Sequence, residues 1–229
     1  MTEHERIDAG STTRGRETEL AGQIVTLCRR MVADGLVVGT SGNVSARLGE
    51  DILITPTGVR YETMSASDIV TVDTGGTQRR GTLRPTSELP LHLAIYAARA
   101  DVASIVHTHA AHATAVSTLR DTLPAIHYVM AGSGPDIRVA PYATYGSDAL
   151  ARNAVTALRD RGSALLRNHG TLSVGADPEQ AYDRALALEW SARVWLIARS
   201  AGEPTLIDGA EMRAVAEKLR GYGQPKEQR

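Results

Sequence analysis

His107-Thr108-His109 places two imidazoles two residues apart, Asn168-His169-Gly170 supplies a third, and Glu88 offers a carboxylate upstream. Three imidazole nitrogens and one carboxylate oxygen are the donor set of a zinc-like divalent metal site. A His-x-His pair by itself serves packing as readily as a metal, so the third histidine and the glutamate are what point to an ion. The segment Asp101–Val106 is apolar and partly β-branched and reads as a strand running into the pair. Alternate residues of a strand share a face, which aims His107 and His109 at one ion and turns Thr108 away. Ser163–Arg167 reads as a short buried strand leading to His169, with Gly170 permitting the turn that follows. His92, four residues after Glu88, would share its helix face, so Glu88 and His92 form a rival ligand pair, ranked lower.

Two small, hydroxyl-rich turns, Gly39-Thr40-Ser41-Gly42-Asn43 and Thr55-Pro56-Thr57-Gly58, have backbone N–H groups that could converge on an anion. Each by itself is an ordinary turn, and neither is a P-loop, because no Gly-Lys-Ser/Thr follows. Thr86-Ser87-Glu88 adds two hydroxyls at a helix start, where the helix dipole favours negative charge. The three segments together suggest a small phosphorylated substrate lying near the metal.

The elements that must position these groups follow from the apolar pattern. Residues 1–16 lack periodicity and carry Gly, Ser and Thr beside charges, so a disordered N-terminal arm is expected there. From Glu17 to Asp34, Leu20, Ile24, Leu27, Cys28 and Met31 recur at helical spacing, and Gly35 is placed to stop the helix. Residues 43–48, 51–55 and 68–73 read as extended pieces in antiparallel hairpins. Further helices are expected over 87–99, from Ser147-Asp148 to Arg161, and from Asp177-Pro178, with Asp at the cap and Pro at the first turn, to Ser200. This order suits a single-domain α/β/α sandwich around a central, largely antiparallel sheet better than a doubly wound parallel sheet. No internal repeat or low-complexity segment interrupts it.

Composition excludes several function classes. With 229 residues and 42% hydrophobic content the chain can bury a substantial core. A formal net charge of -1 gives no basic field for nucleic acid, and no apolar run approaches bilayer length, so neither nucleic acid nor membrane is expected as a partner. The polar start leads to the expectation of no standard secretory signal. A single cysteine, Cys28, assigned to the core, permits no intrachain disulfide, and a cytoplasmic location is the expectation. Only Lys218 and Lys226 occur, neither in a pocket-like context, so a Schiff base is disfavoured and carbonyl chemistry would use a metal as its electron sink.

Seven co-ordered segments resemble the class II aldolase/adducin superfamily, and most closely its fuculose-phosphate aldolase branch. They are Gly39–Ser45, Ile54–Gly58, Pro85–Glu88, Val106–His112, Pro124–Tyr128, Ala140–Gly146 and Asn168–Gly170. The resemblance covers residues 17–223 and leaves 224–229 as a flexible tail. It implies that His107, His109 and His169 hold the metal, with Glu88 a fourth ligand that can leave when substrate binds. The ion implied is zinc, one per subunit, with manganese or cobalt as substitutes. Phosphate binding is implied for Asn43, Thr57, Gly58, Thr86 and Ser87, with Gly42 shaping the loop. Where such aldolases show two serines before the glutamate, this chain has Thr86 and Ser87, and the hydroxyl survives. His112 and His127 fall in matching segments outside the metal set and are assigned to packing or to supporting hydrogen bonds.

The reaction implied is cleavage of L-fuculose 1-phosphate, or a similar deoxyketose 1-phosphate, to dihydroxyacetone phosphate and L-lactaldehyde through an enediolate. Glu88 would carry the proton to carbon, while Tyr128 and Tyr222 would serve the aldehyde end. The resemblance also implies a homotetramer with sites between subunits, so that Tyr128 reaches a neighbour's metal. Alternatives within the superfamily are a pentulose-5-phosphate 4-epimerase, a dehydratase or a decarboxylase; outside enzymes, a non-catalytic adducin-like module. The Pro124–Tyr128 and Gly221-Tyr222 matches favour the aldolase, and the intact Glu88 and three histidines disfavour the module.

Overall fold

Ile24, Leu27, Cys28 and Met31 are all completely buried, and the helix they belong to closes one face of the molecule. The computed structural model describes residues 3–221, with side chains from Arg14 onward. This helix, α1 (Glu3–Ala33), has 31 residues, so the backbone expected to form an arm is helical from Glu3. The segment holds no proline and is rich in Glu and Arg, so nothing stops the helix from propagating toward the N-terminus. Glu17 ties it to the sheet by accepting 2.7 Å bonds from Thr71 Oγ1 and Arg80 Nε. Residues 1–2 and 222–229, which include Tyr222 and the expected tail, lie outside the described residues.

Among the described residues nine strands form one sheet: β1 (Asn43–Leu48), β2 (Asp51–Ile54), β3 (Val70–Asp73), β4 (Gln78–Arg80), β5 (Ser104–Thr108), β6 (Thr122–Leu123), β7 (Ile137–Ala140), β8 (Ser163–Leu166) and β9 (Gly170–Gly175). Their spatial order is β4-β3-β2-β1-β5-β9-β8-β7-β6, and only the β7–β8 pair is parallel. Alternation decides the layers. Ile52, Ile54, Ile105, Ala164 and Leu166 face one core with Leu91, Ile95, Leu150 and Ala154 of α2 (Leu89–Ala98) and α4 (Asp148–Ala157). Leu53, Val106 and Leu165 face the other core, with α1, α3 (Ala111–Leu119), α5 (Pro178–Ala201) and α6 (Gly209–Arg220). Each fully buried aliphatic side chain is worth about 1.5–3 kcal/mol, so a one-residue slip, which would exchange the two faces, is strongly disfavoured. The result is the expected α/β/α sandwich, with α3 and α6 as helices, and β4, β6, β7 and β9 as strands, beyond those the sequence suggested.

Caps close two of the expected helices as read. Ser147 accepts from Leu150 N at 3.2 Å to start α4, and Asp177 accepts from Gln180 N at 2.8 Å to start α5. The Gly170 expectation needs correction. Residues 167–169 form the turn between β8 and β9, with Asn168 taking the positive φ of 55°, and Gly170 is already the first residue of β9. A side chain is excluded at Gly170 by proximity, because a Cβ there would sit 2.1 Å from the Thr108 carbonyl oxygen. Among the described residues, no helix is long and apolar enough to cross a membrane.

Candidate metal centre

The start of β1, the end of β5 and the start of β9 meet at one end of the sheet, where Asn43 pairs with His107 and His107 with Leu172. That register brings residues from three distant parts of the chain to one edge. Glu88 arrives from the other layer, as the residue capping α2. Backbone bonds from Thr86 N to Thr55 O at 3.0 Å and from Thr57 N to Arg84 O at 3.1 Å bind its approach segment to the Thr55–Gly58 turn.

Glu88, His107, His109 and His169 present donor atoms that all lie within 4.8 Å of one another. His107 Nε2 is 3.0 Å from both His109 Nε2 and Glu88 Oε2, and His169 Nε2 is 3.5 Å from Glu88 Oε1. The three rings stand edge to face with centroids 4.9 Å apart, converging on one point. His107 Nδ1 lies 2.7 Å from the Thr171 carbonyl, which can only accept, so Nδ1 carries a proton and Nε2 is the ring nitrogen turned to the cluster. Thr108 turns the other way, to Thr171 Oγ1 at 2.7 Å, as strand alternation requires.

The electrostatics fit a cation. Burial opposes charge on Glu88, yet the neighbouring His107, His169 and the Asn43 amide hold its carboxyl well below the ordinary range. Burial and the positive potential of His107 push His109 and His169 down to about 4, leaving both neutral at neutral pH. His107 alone is raised: burial lowers it, but the Glu88 carboxylate and the Thr171 carbonyl outweigh that. Glu88 Oε1 is buried without a hydrogen bond, a costly state for a carboxylate oxygen that a cation would relieve. A borderline-soft N3O donor set with one orphaned oxygen suits a divalent metal.

A cleft of about 360 Å³ opens beside the cluster. Gly42, Asn43, Thr57, Gly58, Thr86 and Ser87 all line it together with Glu88, His109 and His169, so the three turns singled out in the sequence converge. Gly42 has φ 79°, and a Cβ there would come within 2.8 Å of the His107 carbonyl oxygen, so only glycine fits this turn. The buried Tyr61 hydroxyl donates to the Gly42 carbonyl at 2.6 Å and fixes the loop. Tyr142 and Tyr145, largely exposed, form another wall of the cleft. The sequence reading quoted both within Ala140–Gly146 but gave neither a role, because only the fold brings the segment to Ser87, where Gly146 packs on the carbonyl.

Other candidates fall elsewhere. Tyr128 is 53% exposed on a 3-10 turn, Tyr128–Gly132, packed on His127 and outside the lining of this cleft. His127 in turn meets Trp190 at 4.5 Å. His112 is spent on Glu189, whose carboxylate also takes the first N–H groups of α3. His92 is no rival ligand: both its ring nitrogens are engaged, by Asn43 and Ser45.

Residues 22–196 match the family model described as Class II Aldolase and Adducin N-terminal domain. The chain belongs to the class II aldolase and adducin family. Within that family, an L-fuculose phosphate aldolase of Escherichia coli O6:H1 is 41% identical over 207 residues, covering 90% of this chain and 96% of the relative. A 5-methylthioribulose-1-phosphate/5-deoxyribulose-1-phosphate aldolase of Escherichia coli O45:K1 is 40% identical over 209 residues, covering 90% and 97%. A solved structure of L-fuculose 1-phosphate aldolase has a TM-score of 0.86 at 36% identity, covering 88% of this chain and 96% of that one. The class II aldolase fold accounts for the single sheet and for the helices on its two faces.

Proposed function

We propose that this protein is a zinc-dependent aldolase that cleaves L-fuculose 1-phosphate, or a similar deoxyketose 1-phosphate, to dihydroxyacetone phosphate and L-lactaldehyde. The chain is a metal-dependent, class II aldolase and hence a carbon–carbon lyase, as its family and relatives establish. The observation that carries the substrate class is the convergence, in one cleft, of an anion-suited rim with a three-histidine, one-glutamate cluster.

His107, His109 and His169 would hold the cation, with Glu88 as the exchangeable fourth ligand. A divalent metal bound there supplies Lewis acidity that offsets the negative charge left when the C3–C4 bond breaks. The Gly42, Thr57 and Gly58 backbone, the Asn43 amide and the Thr86 and Ser87 hydroxyls would seat the phosphate at the α2 N-terminus, where the helix dipole favours it. Glu88, a carboxylate at neutral pH, would remove the C3 proton of dihydroxyacetone phosphate in the synthetic direction; in cleavage it would first take up a proton from solvent, balanced by the one the C4 hydroxyl releases, and pass it to C3. The proton of the C4 hydroxyl must leave as the aldehyde forms, and that role is assigned to Tyr128, with Tyr222 closing over the same end.

Tyr128 is exposed and outside its own cleft, which supports a homotetramer in which it serves the site of a neighbouring subunit. A cytoplasmic location is proposed on the single buried Cys28. The relative named for 5-methylthioribulose 1-phosphate and 5-deoxyribulose 1-phosphate, one percentage point less identical than the fuculose phosphate aldolase, favours a second reading in which the ketose is a pentulose 1-phosphate without a 5-hydroxyl. Zinc-loaded protein incubated with L-fuculose 1-phosphate, 5-deoxyribulose 1-phosphate and ribulose 5-phosphate decides the matter, with dihydroxyacetone phosphate and epimer measured in parallel. Chelator-sensitive release is expected, fastest from fuculose 1-phosphate. Faster release from the five-carbon ketose would select the second reading, and epimer formation in place of release would overturn both.

A further inference from the structure

His92 sits one helical turn beyond Glu88, with no exposed surface. Its Nε2 contacts Asn43 Oδ1, its Nδ1 lies 2.7 Å from Ser45 Oγ, and Ser45 Oγ lies 2.8 Å from the Tyr96 hydroxyl. At the other end Asn43 Nδ2 donates to Glu88 Oε2 at 3.0 Å. The proton positions follow from the donor and acceptor inventory. An ionised carboxylate only accepts, so Asn43 turns its NH2 to Glu88 and its carbonyl to His92. That carbonyl needs a donor, so His92 carries its proton on Nε2. A neutral imidazole then accepts at Nδ1, where Ser45 donates, and Ser45 accepts from Tyr96. Burial keeps His92 neutral, with its pKa pushed down to about 3, as this chain of bonds requires. All four hydrogen bonds thus run in one direction, toward Glu88.

We propose that His92 is a positioning residue of the site: its Nε2–H locks the Asn43 amide in the one orientation that offers N–H groups both to Glu88 and to an anion in the cleft. Asn43 Nδ2 has two hydrogens; one is taken by Glu88, and the second is free on a residue that lines the cleft. Rotated by half a turn, the same amide would set its carbonyl oxygen against the Glu88 carboxylate and the bound anion, both of which only accept. With Nε2 protonated the inverted amide would also leave two donors face to face, so Glu88 and His92 hold Asn43 in the same orientation from its two ends. One helical turn therefore carries both Glu88 and the residue that orients it. The inference rests on the proposed function in taking the anion to be the substrate phosphate.

Two substitutions separate positioning from packing. Glutamine can set an amide nitrogen where Nε2 stood, whereas asparagine reaches only the place of Nδ1, so His92→Gln keeps the donor to Asn43 and His92→Asn removes it. The readouts are the Kd of inorganic phosphate on zinc-loaded protein by calorimetry, zinc affinity by chelator competition, kcat and KM with the ketose phosphate, and Tm. In His92→Asn, phosphate affinity and kcat are expected to fall about 10–100-fold, the usual effect of removing a group that orients a metal-site residue. His92→Gln is expected to recover most of that loss at a comparable Tm. Wild-type phosphate affinity in His92→Asn would overturn the proposal, as would equal losses in the two variants that simply follow Tm. A wild-type protein that takes up zinc but no phosphate would overturn the reading of the cleft, and this inference with it.

Discussion

Gly170→Ala adds one methyl group, and the structure places it where no atom can go. The Cβ would lie 2.1 Å from the Thr108 carbonyl oxygen, against a floor of 3.0 Å for real contacts, and 3.2 Å from His109 Cδ2. Strands β5 and β9 would have to part by about 0.9 Å at the point where Thr108 pairs with Thr171, immediately before His109 and immediately after His169. Overpacking of this kind costs about 1–3 kcal/mol, and at about 2–4 °C per kcal/mol for a chain this size Tm is expected to drop by several degrees. Function should suffer more than stability, because the same displacement separates two of the three imidazoles; a misplacement near 1 Å costs on the order of 100-fold in rate. Zinc content by elemental analysis, Tm by calorimetry and kcat/KM on the same preparation measure all three. Wild-type zinc affinity with kcat/KM within about twofold of wild type would refute the claim that this strand contact sets the metal geometry.

His107→Ala removes the most central donor of the cluster and is expected to abolish stoichiometric zinc binding; full occupancy by elemental analysis would reject the proposed donor set. Glu88→Gln should keep the fold while lowering aldol cleavage about 10²–10⁴-fold, the usual worth of a general acid–base group. Mixing inactive Glu88→Gln and inactive Tyr128→Phe subunits should restore part of the activity, and mixtures that stay dead would show that the two residues do not serve a shared site. In metal-free protein His92, His109 and His169 have pKa values pushed down to about 3, 4 and 4 from 6.5. Below pH 6.5 the unfolded chain takes up protons that the fold refuses at these three, so their contribution is flat above 6.5 and falls as the pH drops toward 4, by about 1.4 kcal/mol per histidine between pH 7.5 and 5.5, while the raised His107 works in the opposite sense and offsets part of it. Denaturant midpoints that do not fall over that range would contradict the neutral assignment.

Much of the site was legible in the chain because its chemistry is carried by residue type and short spacing. A two-residue interval in a strand aims His107 and His109 together whatever lies around them, and hydroxyl-rich turns and a helix start declare an affinity for anions. Helices with explicit caps, at Ser147 and Asp177, and strands with clear alternation were readable for the same local reason. The helical backbone from Glu3 was not, since Gly and Ser weaken a helix without ending it when no proline intervenes. Tertiary structure alone decided what depends on register between distant segments. Pairing of Asn43, His107 and Leu172 across three strands chose which histidines meet, and it withdrew His92 from the metal by giving both its nitrogens to Asn43 and Ser45. The same register made Gly170 indispensable through a backbone oxygen 62 residues away in sequence, at Thr108, and brought Tyr142 and Tyr145 to the cleft. Local propensity records what a residue can do; only packing, which is long-range and sensitive to a few tenths of an ångström, records which neighbours let it do so.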